Sequence, residues 1–294
     1  MSAYLSPFQY SFSMVNLVKL MQKWDWDQFD KIMELAGTSH VELVPGMLLG
    51  SGWDRQPPQA FACTTALQRL KDTYTVSSIQ SLTYGLNVNL FGDLSSDHEV
   101  LQRFRSLACL GRLLNCKTFV LGSPGQKKLI SLNVDPGRLK EQFVKNCALM
   151  SSVLGHDSIL SLEHNTIAQG AETCNTLRDM VDVIFELKHL GIHNVCLNLD
   201  TKCLLDEFGI DVNISQLINQ YELITNVSSI QVSFDFLSRL GCQARSDEAA
   251  LLELARDLCC PLSLEEFGLL DDQLSEFIGF WQTVLNTNSR SSQT

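Results

Sequence analysis

The chain has 294 residues, of which 45% are hydrophobic and 19% are charged, as is typical of a globular protein with a substantial core. Its formal net charge of -11 disfavours nucleic acid as a partner, because an acidic surface repels phosphate groups. No stretch approaches the roughly 20 apolar residues that span a bilayer, and the start of the chain lacks the pattern of a signal peptide. We therefore expect a cytoplasmic protein with no membrane partner.

The 10 cysteines are scattered along the chain and form no C-x-x-C pair. A chain of this length can bury a core without covalent cross-links, so a disulfide framework is not required. The spacing also disfavours a zinc site built from cysteine pairs. We expect reduced thiols, most of them buried.

Short β-like runs alternate with longer helical runs from beginning to end. The predicted strands are Tyr10-Met14, His40-Val44, Thr75-Leu82, Thr118-Leu121, Ser158-Glu163, Val195-Asp200, Ser229-Ser233 and Leu262-Glu265. The predicted helices are Trp26-Leu35, Pro58-Leu70, His98-Leu114, Pro136-Val153, Ala171-Leu190, Asn213-Thr225, Asp247-Leu258 and Asp271-Leu285. Eight strands in strict alternation with eight helices predict a single α/β domain, a (β/α)8 TIM barrel over residues 1–285, followed by a disordered tail at 286–294.

The alternative architecture is an open, doubly wound sheet. That fold normally carries a glycine-rich phosphate loop after an early strand, and the sequence contains neither G-x-G-x-x-G nor G-K-[ST]. The barrel is therefore the favoured interpretation.

Polar residues lie at or near the ends of the last four predicted strands, at Glu163, Asp200, Gln231 and Glu265. Each follows the previous one by 31 to 37 residues, about one βα unit, so they are neighbours around the ring. In such barrels the functional groups lie where the strands end. Hard oxygen ligands from adjacent strands suit Mg²⁺ or Mn²⁺. On spacing alone, capping of the strands by acids paired with lysines or backbone amides explains the pattern equally well.

Three phrases of the chain resemble the xylose-isomerase-like sugar phosphate isomerase/epimerase superfamily. They are Val41-Glu42-Leu43, the run SIQSLTYG at 78–85 followed by Leu90-Phe91-Gly92, and LGSPGQK at 121–127. The similarity runs in order from about residue 10 to 285. It implies a divalent metal, Mg or Mn, held by Glu163, Asp200, Gln231 and Glu265.

The resemblance is broken at important positions. Gln231 stands where the superfamily has a histidine, Cys203 stands where many members have the histidine of D-x-x-H, and Phe234 replaces a polar residue. An amide oxygen can bind Mg²⁺ but is a poorer ligand than imidazole for Mn²⁺ or Zn²⁺. These departures weaken the expectation of a metal without removing it.

The resemblance also implies roles for other residues. Glu163 and Glu265 would transfer a proton at the carbon beside a carbonyl, through an enediolate. Candidate substrate-binding residues are Gln80, Lys127, Asn165 and Glu42. Lys127, in place of an arginine of the superfamily, would hold a sugar phosphate, although a loop lysine is more often simply solvated. Glu42 either reaches the pocket floor or forms a structural pair, and His164 is expected to pack away from the face of Glu163.

Three functions follow as hypotheses. The first is a metal-dependent isomerase or epimerase of a small sugar or sugar phosphate, and the second is an inosose-type dehydratase on the same site. The third is a barrel that has lost its catalytic function and binds a ligand or a protein, which the loss of histidines favours. An apurinic-endonuclease-like function is disfavoured by the net charge and by the six histidines, which lie mostly away from the strand ends. The sequence leaves open whether the chain forms a homo-oligomer.

Overall fold

The structure is a computed structural model that describes residues 10–17, 24–81, 88–122, 124–127, 135–209, 212–233, 236, 252, 254–265, 273–279 and 282. Its centre is a closed barrel of eight parallel strands in chain order. The strands are β1 (Ser11–Ser13), β2 (His40–Leu43), β3 (Thr75–Gln80), β4 (Thr118–Leu121), β5 (Ile159–Glu163), β6 (Val195–Asp200), β7 (Val227–Val232) and β8 (Leu262–Leu264). The predicted (β/α)8 architecture is confirmed, and each predicted strand is found within two residues of its predicted ends.

Helices surround the barrel on its outer face. They are α1 (Trp26–Ala36), α2 (Pro45–Leu49), α3 (Pro58–Ala62), α4 (Thr65–Thr73), α5 (His98–Leu114), α6 (Pro136–Leu154), α7 (Leu177–His189), α8 (Thr201–Phe208) and α9 (Ile214–Gln220). Residues 254–258 and 273–279 are helical as well. The strands are almost entirely buried, although β1, β3 and β7 carry several serines and two glutamines among their apolar residues.

Local capping corrects three of the predicted helices. The predicted helix Pro58-Leu70 is two helices, because the Thr64 side chain accepts a hydrogen bond from the Leu67 N–H and starts α4. The predicted helix Ala171-Leu190 begins only at Leu177, where Thr176 and Asp179 form a capping box. The predicted helix Asn213-Thr225 ends at Gln220, and a short 3-10 turn follows at Leu223–Thr225.

The short helices α2 and α8 were not predicted, because five and eight residues are too few to show a helical period. Nine of the ten cysteines fall within the described residues, and all nine are free. The tenth, Cys242, lies outside them, as does the predicted tail 286–294. In the described part of the chain, no helix is long and apolar enough to cross a membrane.

A buried ion pair ties the segment after β2 to helix α5. The Arg103 Nε donates to the Asp54 carboxylate, and both side chains are less than 10% exposed. The guanidinium also lies over the Trp53 ring, 5.4 Å from its centroid. Such a pair is costly to break from one side, because the remaining charge is left out of water without a partner.

Replacement of one partner should therefore be strongly destabilising. We expect Asp54→Ala to lower the free energy of unfolding by about 3–5 kcal/mol, since it leaves the Arg103 charge uncompensated. The control is Arg55→Ala, which removes an exposed pair with Glu99 and should cost less than about 1 kcal/mol. Urea titrations of both variants give the comparison, and equal losses would contradict the prediction.

Candidate active site at the carboxyl end of the barrel

The four strand-end residues predicted from the sequence lie at the same edge of the barrel. Glu163 and Asp200 are the last residues of β5 and β6, and Gln231 is the last but one of β7. Glu265 directly follows β8. The parallel register pairs Asp200 with Gln231. The first three side chains are buried and Glu265 is partly buried.

These residues divide into two groups, and the first contains a residue that was not predicted. Glu163, Asp200 and Cys203 each offer one ligand atom, and the three atoms lie within 4.8 Å of one another. The Cys203 Sγ is 3.2 Å from Asp200 Oδ2 and 3.8 Å from Glu163 Oε1. All three side chains are buried.

Helix α8 explains why Cys203 faces the two carboxylates. Asp200 is the N-cap of α8, and its Oδ1 accepts a hydrogen bond of 2.7 Å from the Lys202 N–H. Cys203 is the third residue of the helix, the position whose side chain reaches back toward the N-cap. The sequence signal for this contact is the D-x-x-C spacing of Asp200 and Cys203.

Two neighbours fix the carboxylate of Glu163. The Asn165 Nδ2 donates to its Oε1 over 2.6 Å. Gly122, directly after β4, lies beneath its other oxygen, where an added Cβ atom would fall 1.7 Å from Oε2. Only a residue without a side chain leaves room for the carboxylate at this place.

The second group is a pair of acids held together by hydrogen-bond donors. The Ser13 Oγ lies 2.8 Å from Glu42 Oε1 and 3.0 Å from Glu265 Oε2. The Gln80 Nε2 lies 3.1 Å and 3.3 Å from the same two oxygens. Because these donors come from β1 and β3, Glu42 points into the barrel. These contacts give Glu42 hydrogen-bonded partners inside the barrel, and a place on the floor of a substrate pocket stays a prediction.

Gln231 belongs to this second group. Its Nε2 donates to Glu42 Oε1 over 3.0 Å and also to the Glu265 carboxylate. Its Oε1 accepts from the Asn198 Nδ2, and the Asn198 Oδ1 accepts from the Ser229 hydroxyl. The metal-ligand role implied by the resemblance requires the oxygen of Gln231 to face a cation, whereas here the N–H groups face the acids.

Burial and mutual repulsion shift the titration of the site. Burial, together with the nearby Asp200 carboxylate, raises the pKa of Glu163 to about 8. Burial and the Glu42 carboxylate hold the pKa of Glu265 well above its usual range. Burial and Asp200 likewise raise the pKa of the Cys203 thiol. Protonation or a bound cation would therefore stabilise these buried groups.

Lys127 lies beside the end of β5, and its ammonium group is directed to the backbone of Glu163. It is only 1% exposed, which contradicts the interpretation of a solvated loop lysine. Its Nζ donates to the backbone carbonyl of Glu163 over 2.6 Å and lies 3.9 Å from the sulfur of Met180 in α7. Burial lowers its pKa. Of the four predicted substrate-binding residues, Gln80, Asn165 and Glu42 join the site, and Lys127 packs against the helix layer instead.

The donor set of the first group fits a divalent cation. Two carboxylates and a thiolate provide ligand atoms at mutual distances suitable for one ion. A cation there would relieve the repulsion that raises the pKa of Glu163. The second group fits a cation less well, because both of its acids accept hydrogen bonds from the Gln231 amide.

Comparisons with known proteins place this fold. No protein-family model matches the chain, and no curated relative matches it. Among solved structures, the chain is similar to 3-keto-D-glucoside 4-epimerase from E. coli, with a TM-score of 0.65, 13% identity, and 95% of this chain and 99% of the other covered. It is also similar to an AP endonuclease of family 2 from Brucella melitensis, with a TM-score of 0.63, 12% identity, and 94% of this chain and 98% of the other covered. A third similar structure is the IolI protein with a zinc atom, with a TM-score of 0.61, 14% identity, and 94% of this chain and 96% of the other covered. The fold is therefore that of the xylose-isomerase-like TIM barrels.

His164, which follows Glu163, generates a pH prediction. Its ring is fully buried, and its Nε2 lies 3.5 Å from Glu207 Oε2. Burial lowers the pKa of His164 to about 3 from an ordinary value of 6.5. The unfolded chain binds this proton more tightly, so the stability from neutral His164 is complete above about pH 6.5 and is lost as the pH falls toward 3.

We therefore expect the destabilisation caused by His164→Asn to be smaller at pH 5 than at pH 7.5, by about 2 kcal/mol. Urea titrations of the parent and the variant at the two pH values measure this difference. The exposed His156→Asn substitution is the control and should change stability equally at both. A cost of His164→Asn that does not depend on pH would show that its burial has no effect on its protonation.

Proposed function

We propose that the protein is an enzyme that transfers a proton at carbon in a small sugar or sugar derivative, as an isomerase or epimerase. One observation carries the proposal. Glu163 and Glu265 lie three strands apart around one barrel mouth, and burial raises the pKa of both. Carboxyl groups whose pKa is raised toward neutrality are suited to general acid and base catalysis.

The two groups would divide the work. Glu265 is oriented by the amides of Gln80 and Gln231 and would take the proton from the carbon beside the carbonyl. Glu163 is fixed from the other side by Asn165 and would return a proton to the opposite face. The intermediate on this route is an enediolate of the sugar.

Glu163 and Asp200 would hold a divalent cation, as the donor set allows. Such an ion, when bound, polarises carbonyl and hydroxyl oxygens of a ligand and stabilises negative charge on them. The resemblance adds Mg²⁺ or Mn²⁺ as the ion and Gln231 and Glu265 as further ligands, a set that the orientation of the Gln231 amide opposes.

The comparisons support a small-molecule substrate. The similar E. coli protein is an epimerase of a 3-keto-glucoside. Amide groups of Gln80 and Asn165 at the mouth can bind sugar hydroxyls. The Brucella neighbour is an AP endonuclease, but the net charge of -11 opposes binding of a phosphate backbone.

One observation favours a second candidate. The Gln231 amide donates hydrogen bonds to both acids of the second group, Glu42 and Glu265. This arrangement is expected of a barrel that has lost its catalytic function and binds a ligand or a protein. A dehydratase of the inosose type would use the same acids. Product analysis separates the dehydratase, and exchange of solvent deuterium into sugars separates a binding protein from an enzyme.

The first test removes the proposed base. Glu265→Gln should reduce the incorporation of solvent deuterium into a reactive sugar by about a hundredfold or more, because an amide does not accept the proton. Proton NMR of a panel of ketoses and keto-glucosides in D₂O, with added Mg²⁺, Mn²⁺ or Zn²⁺, measures it. Glu34→Gln, on the exposed side of α1, is the matched control. No exchange by the parent protein on any sugar would support the binding-protein alternative.

The second test uses the contact between Gly122 and Glu163. Gly122→Ala should displace the Glu163 carboxylate and weaken binding of a divalent cation at least about tenfold, or 1.4 kcal/mol. The fold should tolerate it, because the displaced group is the end of a flexible side chain. Gly125→Ala, whose Cβ meets open space in the next turn, is the control. Calorimetric titration with Mn²⁺ and with Zn²⁺ measures both, and unchanged affinity in Gly122→Ala would count against the cation site.

A further inference from the structure

We propose that Cys203 is the third ligand of the cation site, and that the site selects a thiophilic ion such as Zn²⁺ instead of Mg²⁺ or Mn²⁺. The inference deepens the proposed function and rests on its cation site. It replaces the ligand set implied by the sequence resemblance, in which Gln231 and Glu265 complete the coordination. The metal would be held by Glu163, Asp200 and Cys203.

The geometry of α8 carries the first step. Asp200 uses Oδ1 to cap the helix through the Lys202 N–H, and its Oδ2 lies 3.2 Å from the Cys203 sulfur. The sulfur is fully buried at the third position of the helix, so it cannot turn to solvent without unwinding that turn. The thiol is thus directed toward the same space as the carboxylate oxygen.

The environment of Glu163 carries the second step. Its Oε1 lies 3.8 Å from the Cys203 sulfur, and its other oxygen fills the place that Gly122 leaves open. Asn165 holds the carboxylate in this orientation. Two of the three ligands come from consecutive strand ends and the third from the first turn of α8, and contacts within the protein hold them in place.

The use of Gln231 carries the third step. Its N–H groups donate to Glu42 and Glu265, and its oxygen is taken by Asn198. To act as a ligand, the amide would have to reverse, which would turn its oxygen toward two acids and lose both donor contacts. Glu265 is held in the same network by Ser13 and Gln80. The hydrogen bonds of Gln231 and Glu265 therefore hold both side chains in the second group, apart from the proposed cation.

The choice of metal follows from the donors. Two carboxylates and one thiolate carry three negative charges when deprotonated, and a thiolate favours Zn²⁺ or Co²⁺ over Mg²⁺ and Mn²⁺. Glu163, Asp200 and Cys203 would supply three protein ligands, the number typical of catalytic zinc sites. The ion would have to displace the thiol proton, so binding should release protons.

The experiment uses Co²⁺ as a spectroscopic substitute for Zn²⁺ in the full chain after removal of metal with a chelator. The parent should show a near-ultraviolet thiolate-to-cobalt charge-transfer band that Zn²⁺ abolishes by displacement. Cys203→Ser should lose the band and bind Zn²⁺ at least about tenfold more weakly. Cys174→Ser, at another buried cysteine, is the matched control and should retain the band. Circular dichroism confirms that the variants are folded.

Three results would overturn the inference: a parent that binds Co²⁺ without the band, a parent that binds none of these ions, or a band that survives in Cys203→Ser. Tighter binding of Mn²⁺ than of Zn²⁺, strengthened further by Gln231→His, would restore the ligand set implied by the resemblance. Deuterium exchange is measured separately on the same samples. Exchange without the band would refute this inference alone, and the band without exchange would refute the proposed enzyme alone.

Discussion

Carboxyl groups held out of water at one end of the barrel are the constraint on which the rest of this site depends. Glu42, Glu163, Asp200 and Glu265 come from four strands of one closed ring, and each lies near at least one other. A buried carboxylate is unfavourable unless it is protonated, hydrogen-bonded or bound to a cation. Hydrogen bonding is distributed unequally between the pair Glu42 and Glu265 on one side of the mouth and the pair Glu163 and Asp200 on the other.

On one side, neutral donors satisfy the acids. Ser13, Gln80 and Gln231 surround the oxygens of Glu42 and Glu265, so that this pair is held in place by hydrogen bonds alone. A glutamine suits this position because it donates without carrying a charge. Gln231 stands where the superfamily that the sequence resembles has a histidine. An amide is a poorer ligand than imidazole for Mn²⁺ or Zn²⁺, but here it donates to both Glu42 and Glu265.

On the other side, the donors are fewer. Asn165 and the Lys202 N–H each donate to one carboxylate oxygen, and the Cys203 thiol lies beside both acids. Lys127, the nearby cation, turns to the carbonyl of Glu163 and packs under α6 and α7, where it supports the strand end more than it neutralises the mouth. The unequal treatment of two acid groups on a common fold shows why the fold by itself does not define the reaction.

The sequence by itself determined the barrel and the position of its acids. Eight alternating strands and helices without a glycine-rich phosphate loop favour a closed parallel ring, which the structure has. Because the carboxyl ends of parallel strands meet at one edge, Glu163, Asp200 and Glu265 are expected to lie at the same edge. Contacts between distant parts of the chain decided the rest. The orientation of Gln231 depends on Glu42 across the barrel, and the burial of Lys127 depends on Met180. The position of Cys203 beside the two acids depends on a helix that starts directly at the end of β6, too short for its period to show in the sequence.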